Sequence, residues 1–334
     1  MKYPKHISFL LALLLMAALA AGCAHQPQLQ PGPVPTAAQT AAPEPAEPTA
    51  ETESAAIVVT DMTGRTITLD APAEKIVALT ASDCEILYAI GAGDTLVGRG
   101  EYCDYPSEVA DVSSVQSGAN TNIEQIIALG PQVVLMSTMA QTDEQIASLE
   151  ASGIKVVVSD AKDIAGVYTA IELVGAVTGK NDEAAAVVDN MKATFADISA
   201  KATGNGEKTI YFEVSPLEYG LWTAGTGTFM DELADMLGLT NVFADVDSWG
   251  EVSQEQVIER NPDFIVTNTM YFGEGPTPVE EIMGRDGWQD MKAIKNGAVL
   301  NADTNEITRP GPRLADAIKM LYAFVYEDIL DPAA

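Results

Sequence analysis

The chain has almost no histidine. Only His6 and His25 occur among 334 residues, and both precede the part with a folding pattern. That scarcity removes the commonest general base from the folded part, along with Ser-His-Asp and Cys-His arrangements and His-based ligation of zinc or haem. Basic residues are sparse too. Eighteen Lys and Arg face 48 Asp and Glu, a formal net charge of −30. Such acidity argues against nucleic acid, or an anionic membrane surface, as a partner. No GxxxxGK[ST] loop is present, and the GAG at 91–93 follows a helical pattern rather than opening one, so it is not a dinucleotide loop. The GTG at 225–227 does open a helical pattern; it is either a plain turn or a place for an anion. Paired acids such as Asp245 and Asp247 are frequent in so acidic a chain and carry little weight as glycosidase carboxylates. An enzyme would have to work without the usual acid–base set, so binding is favoured over catalysis.

The one marked apolar run is ISFLLALLLMAALAA at 7–21, behind Lys2 and Lys5. It is short for a membrane span and is closely followed by small residues. Residues 1–22 therefore read as an export signal. Residues 24–55 are dominated by Pro, Ala, Gln, Thr and Glu, nearly without large apolar side chains. Such a stretch cannot bury enough surface to fold, and its prolines keep it extended as a tether. The folded part is then 56–334, enough for two lobes.

Within it one pattern is written twice. NIEQIIALGPQVVLMS at 122–137 and SQEQVIERNPDFIVTN at 253–268 both carry Glu-Gln, an aliphatic pair, a proline seven positions after the Glu, and an apolar run. A helix led by Glu124 or Glu255, stopped at Pro131 or Pro262, and feeding a buried strand is one αβ unit. Upstream, IVALT–CEILYAIG–LVG and TIYFEV–MDELADMLG–NVFAD repeat strand, loop, helix and glycine stop. Two like lobes, each presenting one carboxylate at the same place, are expected to hold a ligand between them. The alternative is the ordinary recurrence of strands and helices in α/β domains. NDEAAAVVDNMKATFADISAKA at 181–202 has a helical apolar stripe at 184, 187, 188, 191, 195 and 198, with Asn181 or Asp182 placed to cap it.

Three cysteines are present. Cys84 and Cys103 follow successive predicted strands at one end of the first lobe. In an exported protein they are expected to form a disulfide, contributing about 3 kcal/mol if unstrained; two free thiols are the alternative. Cys23 follows Leu19-Ala20-Ala21-Gly22, which resembles the lipobox of bacterial lipoproteins and implies cleavage before Cys23 and its lipidation. Acyl chains there would anchor the protein stably to a membrane.

Aromatic residues collect in the loops after strands: Tyr102 and Tyr105; Tyr219, Trp222 and Phe229; Trp249; Tyr271 and Phe272. Thr308–Arg313 precedes the last helix. Ligands of open α/β sheets bind beyond the carboxyl ends of strands, so these loops are candidates for a pocket wall. Each aromatic taken singly could equally pack its own loop.

The motifs EYCDYP, NIEQIIALGPQVVL, LWTAGTGTFMDEL, NVFADVDSWGEVSQEQV, NPDFIV and TRPGPRLADAI, in that order, resemble the substrate-binding lipoproteins of ABC importers for iron–siderophore complexes and vitamin B12. The resemblance runs over about 57–330 and is nearest to the vitamin B12 branch. It implies an α/β fold of two Rossmann-like lobes, 56–180 and 203–334, joined by one long helix at 181–202, with modest hinge motion. It implies an extracytoplasmic, membrane-anchored binding role, with a permease dimer and its ATPase subunits as partners, a monomeric receptor, no nucleic acid and no metal site.

 

No cofactor is expected beyond the transported ligand, a corrinoid or ferric siderophore. In the vitamin B12 branch an aromatic wall and an arginine frame the corrin, and by motif position Tyr102, Tyr105, Trp222, Trp249, Tyr271 and Arg309 stand here as ligand-binding residues. Rigid aromatics bury the broad faces of a corrinoid at low entropy cost, and Arg309 can donate to amide or phosphate oxygens. Gly118 and Ser137 replace tryptophans of that branch, which implies a more open pocket on the first lobe. The family docks one surface Glu per lobe onto permease arginines, and these positions fall on Glu124 and Glu255. A ferric siderophore is the second ligand reading, haem the third, and a purely structural surface protein remains the alternative of a different class.

Overall fold

The computed structural model describes residues 56–138 and 142–327. The predicted leader (1–22), Cys23 and the tether lie outside them.

The first lobe begins with an antiparallel hairpin, β1 (Ile57–Thr60) and β2 (Thr66–Leu69). There follow β3 (Ile76–Ala78), α1 (Ala81–Ala89), β4 (Leu96–Gly100), β5 (Ser114–Val115), α2 (Ile123–Leu129), β6 (Val133–Met136), α3 (Asp143–Ala151), β7 (Lys155–Val158) and α4 (Ile164–Thr178). Strands β3 to β7 form one parallel sheet in the order β5-β4-β3-β6-β7. IVA in β3 and VVLM in β6 are buried at every position, the continuous apolar reading of strands covered on both faces.

Helix α4 ends at Gly179, whose φ of 70° is left-handed, and α5 (Asn181–Lys201) starts two residues later. Ala184, Val188, Met191, Phe195 and Ile198 bury one stripe of α5. Lys180 holds its N-cap position without a side-chain bond, so neither Asn181 nor Asp182 caps the helix as expected. Both residues have already entered the first turn.

The second lobe contains β8 (Thr209–Ser215), β9 (Trp222–Ala224), α6 (Phe229–Met236), β10 (Thr240–Asn241), β11 (Trp249–Glu251), α7 (Gln254–Arg260), β12 (Phe264–Thr267), α8 (Pro278–Met283), α9 (Lys292–Lys295), β13 (Val299–Asn301), α10 (Thr304–Thr308) and α11 (Leu314–Tyr326). Its sheet runs β11-β9-β8-β12-β13, with β10 also on β8. Strands β8, β12 and β13 are parallel, while β9 and β11 form an antiparallel edge. The fold is thus two α/β lobes joined by a single long helix. One apolar cluster passes from Val174 in α4 through Met191 in α5 to Leu233 in α6 and Leu321 in α11, so the lobes share part of their core.

The duplicated sequence pattern gives duplicated structure. Helices α2 and α7 each have seven residues and an N-cap side chain, Asn122 or Ser253, that accepts a backbone N–H. Each ends on a left-handed residue, Gly130 or Asn261, and each leads through its proline into a fully buried four-residue strand. Glu124 and Glu255 are both the second residue of their helix and both exposed.

Candidate functional site between the lobes

The loops that follow the parallel strands of one lobe meet those of the other. Glu85, in the middle of α1, is the hub. Its side chain is only 2% exposed, yet Arg309 Nη1 (2.8 Å), Arg313 Nε (3.0 Å) and Arg313 Nη2 (2.8 Å) all donate to it from the second lobe. Arg309 Nη1 also donates to Asp104 (2.6 Å), and Nη2 to the Tyr102 carbonyl (3.3 Å). The Arg313 guanidinium lies 4.1 Å from the centre of the Tyr105 ring. Elsewhere on the seam, the Ile164 N–H donates to Glu232 (2.7 Å) and the Phe229 N–H to the Lys162 carbonyl (3.1 Å).

Three of the expected wall residues therefore come together here: Tyr102, Tyr105 and Arg309. Tyr102 is widely exposed, and Arg309 is held by two carboxylates. A second group lies on the β9–β11 edge. Trp249 stands opposite Ala224 and Glu251 opposite Trp222, which makes the two tryptophans diagonal neighbours on one face. Trp222 is 41% exposed, while Trp249 meets Phe229 edge to face, with ring centres 5.7 Å apart.

Tyr271 stands apart from both groups. It borders a cavity of about 400 Å³ between the segments after β8 and β12, with Glu213, Leu217, Glu218, Met270 and Phe272. Glu213 pairs with Thr223, the strand neighbour of Trp222, so the cavity and the tryptophans belong to opposite faces of the same sheet end. At the cavity floor Arg285 donates to both oxygens of Glu213, at 2.6 and 2.8 Å, and also to Glu281. Burial pushes the Glu213 carboxyl up, against the pull of Arg285.

The first-lobe strand ends are lined by hydroxyls and acids. Ser159 and Thr80 donate to the buried Asp83, and Ser137 and Thr138 donate to Asp160. Burial raises the Asp83 carboxyl to about 6, and these two hydrogen bonds only partly oppose it. Ser137, at a position read as tryptophan in the vitamin B12 branch, is thus part of a polar rim.

The expected Cys84–Cys103 disulfide is not formed in this structure. Both residues are buried free thiols. Each sulfur lies against the same acceptor, the Ala78 carbonyl oxygen, at 3.9 and 4.0 Å. The neighbouring Cys103 thiol, together with burial, pushes the Cys84 thiol up and keeps it protonated. The GTG loop is a turn rather than an anion cradle, because the Gly225 and Thr226 N–H groups donate to the Ser248 and Val246 carbonyls. Asp245 is taken up by Arg260, whose Nη2 donates to it at 2.9 Å. Arg99 is turned to the Val109 and Gly100 carbonyls.

Sequence reasoning missed Glu85 and Asp104 as the partners of the arginines. An available signal was Glu85 itself, an acid set in the apolar run CEILYA. In the Glu213–Arg285–Glu281 cluster only the i,i+4 spacing of Glu281 and Arg285 was a local signal; Glu213, on β8, lies 72 residues from Arg285.

Comparison with known proteins gives a consistent picture. A family model described as periplasmic binding protein matches residues 76–305. An uncharacterized ABC transporter substrate-binding lipoprotein of Bacillus subtilis, YvrC, is 35% identical over 83% of this chain and 88% of its own. The crystal structure of a possible iron-binding, periplasmic solute-binding protein of Staphylococcus epidermidis superposes with a TM-score of 0.65 at 30% identity, covering 77% of this chain and 100% of that one. The vitamin B12-binding protein of Vibrio cholerae superposes with a TM-score of 0.64 at 25% identity, covering 76% and 96%. The chain belongs to the periplasmic binding protein family.

Proposed function

We propose that the protein is the extracytoplasmic receptor of an ABC importer, captures a corrinoid of the cobalamin type between its lobes, and delivers it to a membrane permease. The names of the Bacillus and Vibrio relatives support the importer role and the ligand class respectively. In this reading lipid on Cys23 holds the receptor at the membrane.

The observation that carries the ligand choice is electrostatic. Arg309 and Arg313, whose guanidinium groups cross the lobe seam, are already matched by Glu85 and Asp104. A trianionic catecholate complex would have to break those pairs to find a counter-charge. A corrinoid needs apolar faces and amide partners instead, and Trp222, Trp249 and Tyr102 supply broad aromatic surface. The Staphylococcus relative keeps a ferric chelate as the second reading, best suited to an uncharged or cationic one.

Delivery requires docking. Glu124 and Glu255, exposed at matching positions on α2 and α7, would engage arginines on a two-fold permease and set its register.

The test is calorimetric titration with cyanocobalamin and with cobinamide, which lacks the appended base. Dissociation constants of about 1 μM or tighter, about −8 kcal/mol, are expected. Trp222→Ala and Trp249→Ala should each weaken binding by about 2 kcal/mol, roughly 30-fold. No heat and no melting shift with either corrinoid would reject the corrinoid reading and leave the ferric chelates.

A further inference from the structure

The cavity beside Tyr271 has a chemistry that the tryptophan face lacks. Its rim is apolar and unusually exposed: Met270 and Tyr271 stand in solvent, and Phe272 is 85% exposed. Three large apolar side chains in a row on a surface loop indicate a surface meant to be covered. The loop is shaped for this position. Tyr271 Oη donates to the Gly275 carbonyl at 3.1 Å, and Gly273 and Gly275 take left-handed φ values of 81° and 74° that let it fold back.

The interior has the opposite character. Glu213, Glu218, Glu274 and Glu281 line the cavity, and no Lys or Arg does. The nearest guanidinium, Arg285, lies beneath the floor with its side chain 3% exposed. It donates to Glu213 and Glu281, and its planar group rests 4.5 Å from the centre of the Trp288 ring. Four of its five N–H donors are thus engaged by two carboxylates, so its charge is already more than matched before any anion arrives. The space combines an apolar cover with carboxylates, which as anions only accept hydrogen bonds.

We propose that this cavity is a second contact zone for the transported ligand, one that takes an uncharged or cationic hydrogen-bond-donating arm, a primary amide or an ammonium, under the Met270–Phe272 cover and rejects arms ending in carboxylate. The position fits such a role, because both bordering loops leave the carboxyl ends of β8 and β12, the sheet end that also carries Trp222. Selection works chiefly by repulsion: a ligand carboxylate would be desolvated among acids without a counter-charge. The choice of corrinoid probes rests on the proposed function; the charge rule itself does not.

The experiment is titration of the full chain in mild detergent with two matched ligand pairs. The first is cobinamide against cobyrinic acid, which carries carboxylates in place of the peripheral amides. The second is a ferric trihydroxamate with a free ammonium arm against its succinylated, carboxylate-bearing form. In each pair that binds, the amide or ammonium member should bind at least about 100-fold tighter. Glu218→Gln combined with Glu274→Gln leaves the Arg285 cluster intact and should narrow that ratio to under about 10-fold. Phe272→Ala should weaken the preferred member by about 10-fold. If cobinamide binds but the ratio is unchanged in the double variant, the cavity proposal falls and the corrinoid reading stands. If only the trihydroxamate pair binds, with the ammonium preference intact and sensitive to the double variant, the corrinoid reading falls and the cavity proposal stands. Equal affinities within both pairs, or no binding of any of the four, overturn the cavity proposal.

Discussion

Replacing Glu85 with alanine tests what holds the lobes together. The carboxylate is almost fully buried and accepts three guanidinium hydrogen bonds from the other lobe. Its removal affects the two arginines unequally. Arg309 keeps Asp104 and the Tyr102 carbonyl, whereas Arg313 keeps its stacking on Tyr105 and loses its only carboxylate partner among the described residues. Breaking a buried pair by removing one partner costs about 3–5 kcal/mol. Because Arg309 stays paired, the lower end, about 3 kcal/mol, is expected. In a protein of this size that lowers the melting temperature by about 6–12 °C. Urea unfolding of the wild type, Glu85→Ala, Arg313→Met and the double variant closes a cycle whose coupling should be about 2 kcal/mol. Methionine keeps the apolar stem of Arg313, so the cycle reports mainly the charge pair. A loss below about 1 kcal/mol with additive single effects would refute the reasoning, for that is how a solvent-screened surface pair behaves.

The pH dependence should carry the mark of Asp83. Its folded value of about 6 lies above the ordinary 3.8, so the folded protein keeps a proton that the unfolded chain has lost. The stability from this group is full below pH 3.8 and declines as pH rises to about 6. Asp83→Asn should remove that slope and gain up to about 3 kcal/mol at neutral pH; a wild-type-minus-variant curve that is flat between about pH 4 and 6 would reject it. Gly225→Ala would place a Cβ 2.1 Å from the Val246 carbonyl oxygen, so a loss of about 2–3 kcal/mol is expected in urea melts. Exchanging both Glu124 and Glu255 for arginine should abolish uptake in whole cells while ligand affinity stays within about twofold and stability within about 0.5 kcal/mol. Unchanged uptake would remove the docking role.

The fold could be read from the sequence because its signals are local. Val133–Met136 and Phe264–Thr267 are short apolar runs bounded by turns, and a left-handed Gly130 or Asn261 and a proline precede each. The stripe of α5 follows the helical period from Ala184 to Ile198. The candidate wall residues were legible as aromatics downstream of strands but not as neighbours, and Trp222 and Trp249 open β9 and β11 rather than standing in loops. Strand register alone joins Trp222 to Trp249, and the same register sends Glu213 and its cavity to the other face. The seam was the least legible part. Glu85 and Arg309 are 224 residues apart, and nothing in either local sequence names the other. The two thiols were expected to bridge on the ground of export; here they are free, the alternative reading, and both sulfurs turn to one carbonyl.

The seam also bears on how such a receptor changes when it binds. Opening the lobes would have to separate Glu85 from two arginines, Asp104 from Arg309, and Ile164 from Glu232. Hydrogen bonds to charged groups are each worth about 1.5–3 kcal/mol, so opening by even a few ångströms would be opposed by several kcal/mol before any strain in α5. A ligand can shift such an equilibrium only by its differential affinity for the open and closed forms. On the proposed function, the Tyr102 face of the first lobe and the Trp222 face of the second therefore lie close to their working separation before the ligand arrives. Selectivity then falls to the shape and charge of a preformed wall rather than to a closing motion. Small-angle scattering of the free and loaded protein should differ little, with a change in radius of gyration of under about 1 Å, in contrast to the large closure of receptors hinged on flexible strands. A larger contraction on loading would mean that the Glu85 cluster breaks and re-forms during binding, and Glu85→Ala would then alter the association rate as well as stability.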